Sequence, residues 1–294
     1  MDASCTLKPA EVAVVLVEQA VAKHNTRYDK TFFKAASDQC VHFLAGVMLS
    51  FGGLFDMIIS GGSPGLLASN PGIVKVLGGF VFPVGIAMIA LQGLELLTSN
   101  LMTFPMAVLK GVIPWWSIPV NWTIVFFGNL SGSLFFVAVL AKSDGLVTSD
   151  PYASYIRSFV VAKAITPAWY QIFIRGIGCN WLVCVAFWQA AGARETYSKI
   201  IAIWFPIWIF VSCGFDHVVA NMFLLPLGII LHSELTTDLY IRKSLIATFL
   251  GNIIGALFMG LPAVYFYLGD WDASGLRGVE EARMERKNLN IADS

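Results

Sequence analysis

The stretch Trp204–Leu231, WFPIWIFVSCGFDHVVANMFLLPLGIIL, constrains this chain more than any other. It has the length of a membrane crossing, roughly 20 to 28 residues. Both of its ends are apolar. Its middle is interrupted by Gly214, Asp216, His217 and Asn221, with Pro226 beyond. A charge at the centre of a bilayer costs on the order of 3 kcal/mol or more. Such a pair persists only where it faces protein or water, so the stretch reads as a functional site inside a broken membrane helix.

The remainder agrees with a membrane setting. Of 294 residues, 57% are hydrophobic and only 13% charged, too few charges for an ordinary soluble domain. The formal net charge is zero, which gives no reason to expect a nucleic-acid partner. The five cysteines, Cys5, Cys40, Cys179, Cys184 and Cys213, form no CxxC and no Cys/His metal spacing. Three of them lie in apolar segments, where a cysteine reads as a small buried apolar residue, and no metal or cofactor is expected. The polar first 30 residues show no cleavable signal, so the first span would direct insertion.

An all-α integral membrane fold with six spans follows. Residues 1–31 form an N-terminal segment with an amphipathic stretch, PAEVAVVLVEQAVAKH, expected against the membrane face or under the bundle. The six-span domain covers 32–268. Its spans are predicted near 32–59, 73–91 (resuming after an interruption as LMTFPMAVL), 120–140, 166–190, 200–231 and 244–268, with a polar loop over 142–157. Residues 269–294 make a charged tail. With both termini inside, Lys8, Lys23, Arg27, Lys30, Lys34, Lys110, Arg194, Lys199, Arg277, Arg283, Arg286 and Lys287 lie inside. That is 12 of the 19 Lys and Arg residues. The positive-inside rule therefore predicts cytoplasmic termini, in a multi-pass protein expected at the plasma membrane.

The interruption occurs twice. Gly93, Glu95, Asn100 and Pro105 precede Gly214, Asp216, Asn221 and Pro226 by 121 residues each. FFGNLSGSLFF (126–136) is echoed by FLGNIIGALFM (249–259) at an offset of 123. The chain reads as a duplication of three spans, with repeats over 32–141 and 163–268. An odd number of spans inverts one repeat relative to the other, the inverted-repeat plan of many transport proteins, in which broken helices meet near the midplane. In the GNxxG segments the glycines fit close helix packing, and Asn129 and Asn252 can bond backbone freed at the breaks.

Several residues could carry chemistry. Unwound backbone in a bilayer must be buried in protein or line a water path. Half-helix N-termini attract anions. His217 is the one histidine deep in a span beside an acid, and an imidazole there can donate to an anion near neutral pH. The plainer alternative is a core histidine satisfied by Asp216 or Asn180. A bare carboxylate would repel anions, so Glu95 and Asp216 are expected to brace the breaks with Gly93, Asn100, Gly214 and Asn221. Thr98 can bond a passing oxyanion, and Asn180 can hold His217 or the ligand. Phe82, Ile86, Leu96, Leu97 and Phe210 flank the breaks as an apolar collar or as plain core. Lys163 would concentrate anions at a vestibule, or simply snorkel.

GLELLTSN and GFDHVVANMFLLPLGI resemble the paired signatures of the formate/nitrite transporter family. The likeness extends to RGIGCNWLVCVAFW and both GN segments, over roughly 32–268, and is nearest eukaryotic, fungal-type nitrite members. It implies an aquaporin-like six-helix protomer in a homopentamer, each with its own pore for small monovalent weak-acid anions. It also implies a central His217 near Thr98 and Asn180, between two constrictions. One would involve Phe82, Ile86 and Leu97, the other Leu96, Val183 and Phe210, with Lys163 at a vestibule. Leu97 replaces an aromatic of some bacterial formate members, and Asp216 replaces a common Glu. The expected activity is proton-coupled transport of nitrite, with formate, lactate or hydrosulfide as alternatives. Anion, protons, the bilayer and further copies of the chain would be its partners. Two other classes compete. A neutral-solute channel would share the broken helices but usually pairs Asn-Pro-Ala-like turns, which are absent. An enzyme built on Asp216 and His217 lacks metal ligands or a nucleophile beside them, so no enzymatic activity is expected.

Overall fold

The computed structural model describes residues 6–28 and 32–269, with side chains of 27–38 left aside. The tail expected over 269–294 therefore lies almost wholly outside the described residues. The described chain is nearly all helix. In order it runs α1 (Pro9–Tyr28), α2 (Phe32–Gly61), α3 (Pro64–Ser69), α4 (Pro71–Val81), α5 (Pro83–Gln92), α6 (Leu97–Leu109) and α7 (Ser117–Phe135). Then come α8 (Tyr152–Val160), α9 (Trp169–Gly192), α10 (Thr196–Cys213), α11 (Val218–Ile230), the single turn α12 (Thr237–Leu239) and α13 (Ile246–Tyr267). Wider π-helical turns extend α7 (Phe136–Lys142), follow α8 (Val161–Ile165) and precede α13 (Tyr240–Leu245).

Six helical segments are long and apolar enough to cross a membrane: Gln39–Gly61, Pro71–Gln92, Ser117–Lys142, Trp169–Gly192, Thr196–Cys213 and Thr237–Tyr267. α6 and α11, the halves beyond the two breaks, are shorter apolar helices. They form the most buried part of the molecule, with every residue of α6 from Leu97 to Ala107 and of α11 from Val218 to Gly228 buried. The outer helices leave large apolar side chains exposed, among them Phe80, Phe127, Phe205 and Phe258. With no hydrophobic drive between helices in lipid, close backbone approach does the packing. A Cβ on Gly132 would lie 1.9 Å from Phe43 O, and one on Gly255 2.2 Å from Ile177 O, so α2 meets α7 as α9 meets α13.

Two features depart from the sequence expectation. Residues 142–157, expected as a polar loop, include most of α8, whose Ala153, Ile156 and Val160 are buried. Spacing of three and four residues gives this short segment one apolar face, which charged Lys142, Asp144 and Asp150 obscure in the sequence. The fourth span starts at Trp169 rather than Thr166, because Pro167 and the extended Ala168 set the helix start there. The amphipathic N-terminal stretch is α1. It packs on α6 and α9 with Val12, Ala13, Leu16, Val17 and Ala20 buried.

Candidate functional site

Both breaks have the same local geometry, which follows from their shared sequence. Gly93 (φ 69°) ends α5, and Gly214 (φ 74°) ends α10, each left-handed. That conformation favours glycine, since a Cβ would crowd the next carbonyl. After three residues each chain resumes as a 13-residue helix. Pro105 and Pro226 sit at the same turn of α6 and α11.

Two buried asparagines hold the freed backbone in parallel ways. Asn129 Oδ1 accepts from Leu97 N–H at 2.9 Å, and its Nδ2 donates to Glu95 O and His42 O. Asn252 Oδ1 accepts from Val218 N–H at 2.9 Å, and its Nδ2 donates to Asp216 O and Gly176 O. Each side chain therefore satisfies a helix N-terminus, a break carbonyl and a carbonyl of the neighbouring span. Unpaired, such groups would each cost about 1–3 kcal/mol.

The acids brace the breaks from the side. Asn100 Nδ2 donates to Glu95 Oε2 at 2.9 Å, and Asn221 Nδ2 donates to Asp216 Oδ1 at 3.2 Å. Cations complete both arrangements. Lys163 Nζ lies 2.9 Å from Asp216 Oδ1 and donates to Phe215 O at 3.3 Å. Lys23 of α1 donates to Asn100 Oδ1 at 2.7 Å. From the sequence, Lys163 is expected to attract anions at a vestibule or to snorkel. Here it is bound to a fully buried carboxylate while still lining a cavity. Lys23 was missed as a site residue. Its one signal was the repeat, which leaves the first acid-asparagine pair in want of a cation from elsewhere.

Between the breaks sits His217, 1% exposed and capping α11. Its Nδ1 accepts from Ala220 N–H at 3.0 Å. A ring nitrogen that accepts carries no proton, so in the neutral ring the N–H is on Nε2. Nε2 lies 2.9 Å from Thr98 Oγ1, on the other half-helix. Among the described residues, Asn180 makes no hydrogen bond to the imidazole. Its Nδ2 donates to Thr98 O (3.2 Å) and Asn252 O (2.8 Å), while its buried Oδ1 has no partner among the described residues. Neither Asp216 nor Asn180 is the partner that satisfies the ring.

The six collar residues Phe82, Ile86, Leu96, Leu97, Val183 and Phe210 are all buried, at 2% exposure or less. Phe210, expected at the constriction with Leu96 and Val183, makes ring contacts to Phe82 and His217. Its ring packs edge-on against Phe82 at 5.9 Å between centroids and stacks on His217 at 5.8 Å. Phe82 and Phe210 are therefore packed against each other beside His217. A bend at Pro83, between α4 and α5, brings Phe82 to it.

Cavities approach from two faces. One, of about 460 Å³, lies beneath α1 and is lined by Lys23, Gly93, Leu94, Ser99, Thr103 and Lys199 among others. The other, of about 60 Å³, is lined by Asp56, Phe82, Lys163, Phe210, Phe215 and His217 among others. A buried polar centre approached from both faces of a six-span bundle, with broken helices aimed at it, defines a membrane transport protein.

Comparison with known proteins places it further. Residues 10–266 match the family model described as formate/nitrite transporter, and the chain belongs to that family. It is 39% identical over 243 residues to a probable formate transporter of Methanothermobacter thermautotrophicus, covering 77% of this chain and 87% of that one. It is 30% identical to an uncharacterized transporter of Saccharomyces cerevisiae, covering 99% of this chain and 46% of the yeast protein. Among solved structures it resembles a pentameric formate channel with formate bound. The TM-score is 0.68 at 28% identity, covering 81% of this chain and all of that one.

Proposed function

We propose that this protein moves small monovalent weak-acid anions across the plasma membrane together with a proton, through one pore in each protomer of a homopentamer. Both termini lie on the cytoplasmic side, and the two three-span repeats are inverted relative to one another. Formate is the first substrate to test, because relatives and the solved neighbour are named for it. Nitrite, lactate and hydrosulfide share its size class and single charge.

One observation carries the reading: the double hydrogen bonding of His217. With Nδ1 held by Ala220 N–H, the neutral ring presents one donor, Nε2–H, to the space it shares with Thr98. A second proton would have to sit on Nδ1 and would break the cap. His217 therefore acts as a hydrogen-bond donor rather than as the proton's source, and the proton comes from vestibule water.

The steps follow from the geometry. Lys163 and the N-terminal end of α11 draw the anion into the smaller cavity. The collar of Phe82 and Phe210 strips its water, and desolvation disfavours the charged form, so it takes up a proton. The neutral acid then passes His217 Nε2–H and Thr98 Oγ1, and the partnerless Asn180 Oδ1 can accept its O–H. On the far side, water in the larger cavity reclaims the proton.

Labelled formate uptake by proteoliposomes, wild type against His217→Asn, tests this. Asparagine is itself a good N-cap, so α11 should persist. The shorter asparagine amide withdraws its donor from the space beside Thr98, and losing that bond, worth about 1.5 kcal/mol to the passing acid, predicts about tenfold slower uptake. Normal uptake by the variant would refute the role of His217.

A further inference from the structure

The smaller cavity holds a carboxyl that no step above uses. Asp56 lies on α2, five residues before its end at Gly61, and is 8% exposed. Ser60 Oγ donates to its Oδ1 at 2.9 Å. Helix α4 makes room for it: a Cβ on Gly78 would fall 2.0 Å from that same oxygen. The carboxyl shares the cavity with Lys163, Phe82, Phe210 and His217. Yet the lysine's ion pair goes to Asp216, and among the described residues no cation pairs with Asp56.

Its surroundings are sparse in charge. Tyr155 of α8 approaches the same Asp56–Ser60 pair. Lys163 comes from the turn after α8, and His217 from the start of α11. Helices α5, α7 and α11 contain no titratable residue, and α4 contains only the exposed Lys75. An anion drawn here by Lys163, whose charge Asp216 already shares, therefore still meets the repulsion of an ionised Asp56.

We propose that Asp56 controls admission of the anion. With a proton, its O–H donates to the anion and positions it before the Phe82–Phe210 collar. Without one, it repels the anion from the cavity. The proton comes from water on the α8 face and remains on Asp56, so no bond within the substrate changes. This rests on the reading that a small anion passes the cavity. It adds a second proton requirement, separate from the proton carried across.

The test is the apparent KM for formate in proteoliposomes of the full chain, at pH values set equal on both sides. Wild type and Asp56→Asn both need the transported proton. Above the titration of Asp56, the wild-type KM should climb more steeply, by up to about tenfold per pH unit. Asparagine donates without titrating, so that extra slope should vanish. Asp56→Glu should restore it. Ser60→Ala, a mild change, removes a donor to the carboxylate and should move the extra slope to higher pH. This second variant keeps the proposal open to refutation should Asp56→Asn fail to fold. Parallel slopes in wild type and Asp56→Asn, or an unmoved slope in Ser60→Ala, would overturn the role of Asp56 while leaving the pore intact. Wild-type vesicles no faster than empty ones would overturn the transport reading and this proposal with it.

Discussion

At the scale of single residues, the side chains offered to the substrate in the proposed pathway are distinct from those that keep the breaks in place. His217 and Thr98 face each other across the two half-helices, whereas Asp216 is consumed by Lys163 and Asn221. Removing the lysine should therefore harm more than attraction. Lys163→Ala would leave a buried, unpaired carboxylate, a change worth about 3–5 kcal/mol when one partner of a buried pair is lost. A thermal melt in detergent should show it well below the wild type. The double variant Lys163→Ala with Asp216→Asn should recover much of that stability. If the single variant melts with the wild type, the pair is not structural. The sequence made His217, Asp216 and their partners in the first repeat legible, because a polar cluster in a lipid-length segment is anomalous. It did not reveal who pairs with whom. Lys163 and Asp216 are 53 positions apart, and Asp56 and Lys163 are 107 apart, so only the fold brings them to one cavity.

At the scale of elements, the breaks depend on asparagines from neighbouring spans. Asn129→Ala and Asn252→Ala each remove one acceptor and two donations from buried backbone. Each should cost about 2–4 kcal/mol, more than the single bond made by Ser131, so Ser131→Ala is the control. Equal melting of all three would contradict the account. Gly132→Val would place a side chain against Phe43 O, where no flexible group can give way, and should abolish folded protein. The repeat in the sequence announced these positions, since GNLSG and GNIIG share both asparagine and glycine spacing. Helix α8 was hidden because its apolar face is only three buried residues long.

At the scale of the whole molecule, a cavity of about 460 Å³ lies beneath α1 and one of about 60 Å³ beside Lys163, and in the proposed pathway the buried apolar collar stands between them. That layout is suited to a species that is charged in both vestibules and neutral between them. A homopentamer with independent pores predicts a mass five times 32.1 kDa for detergent-solubilised protein, read by native mass spectrometry. A monomeric mass at every detergent concentration would contradict it. The most direct measurement is formate uptake into proteoliposomes under an imposed pH gradient. The account predicts that uptake rises as the outside is made more acidic than the inside, and that a proton ionophore, by collapsing the gradient, removes the increase. Uptake indifferent to the gradient would contradict proton-coupled passage.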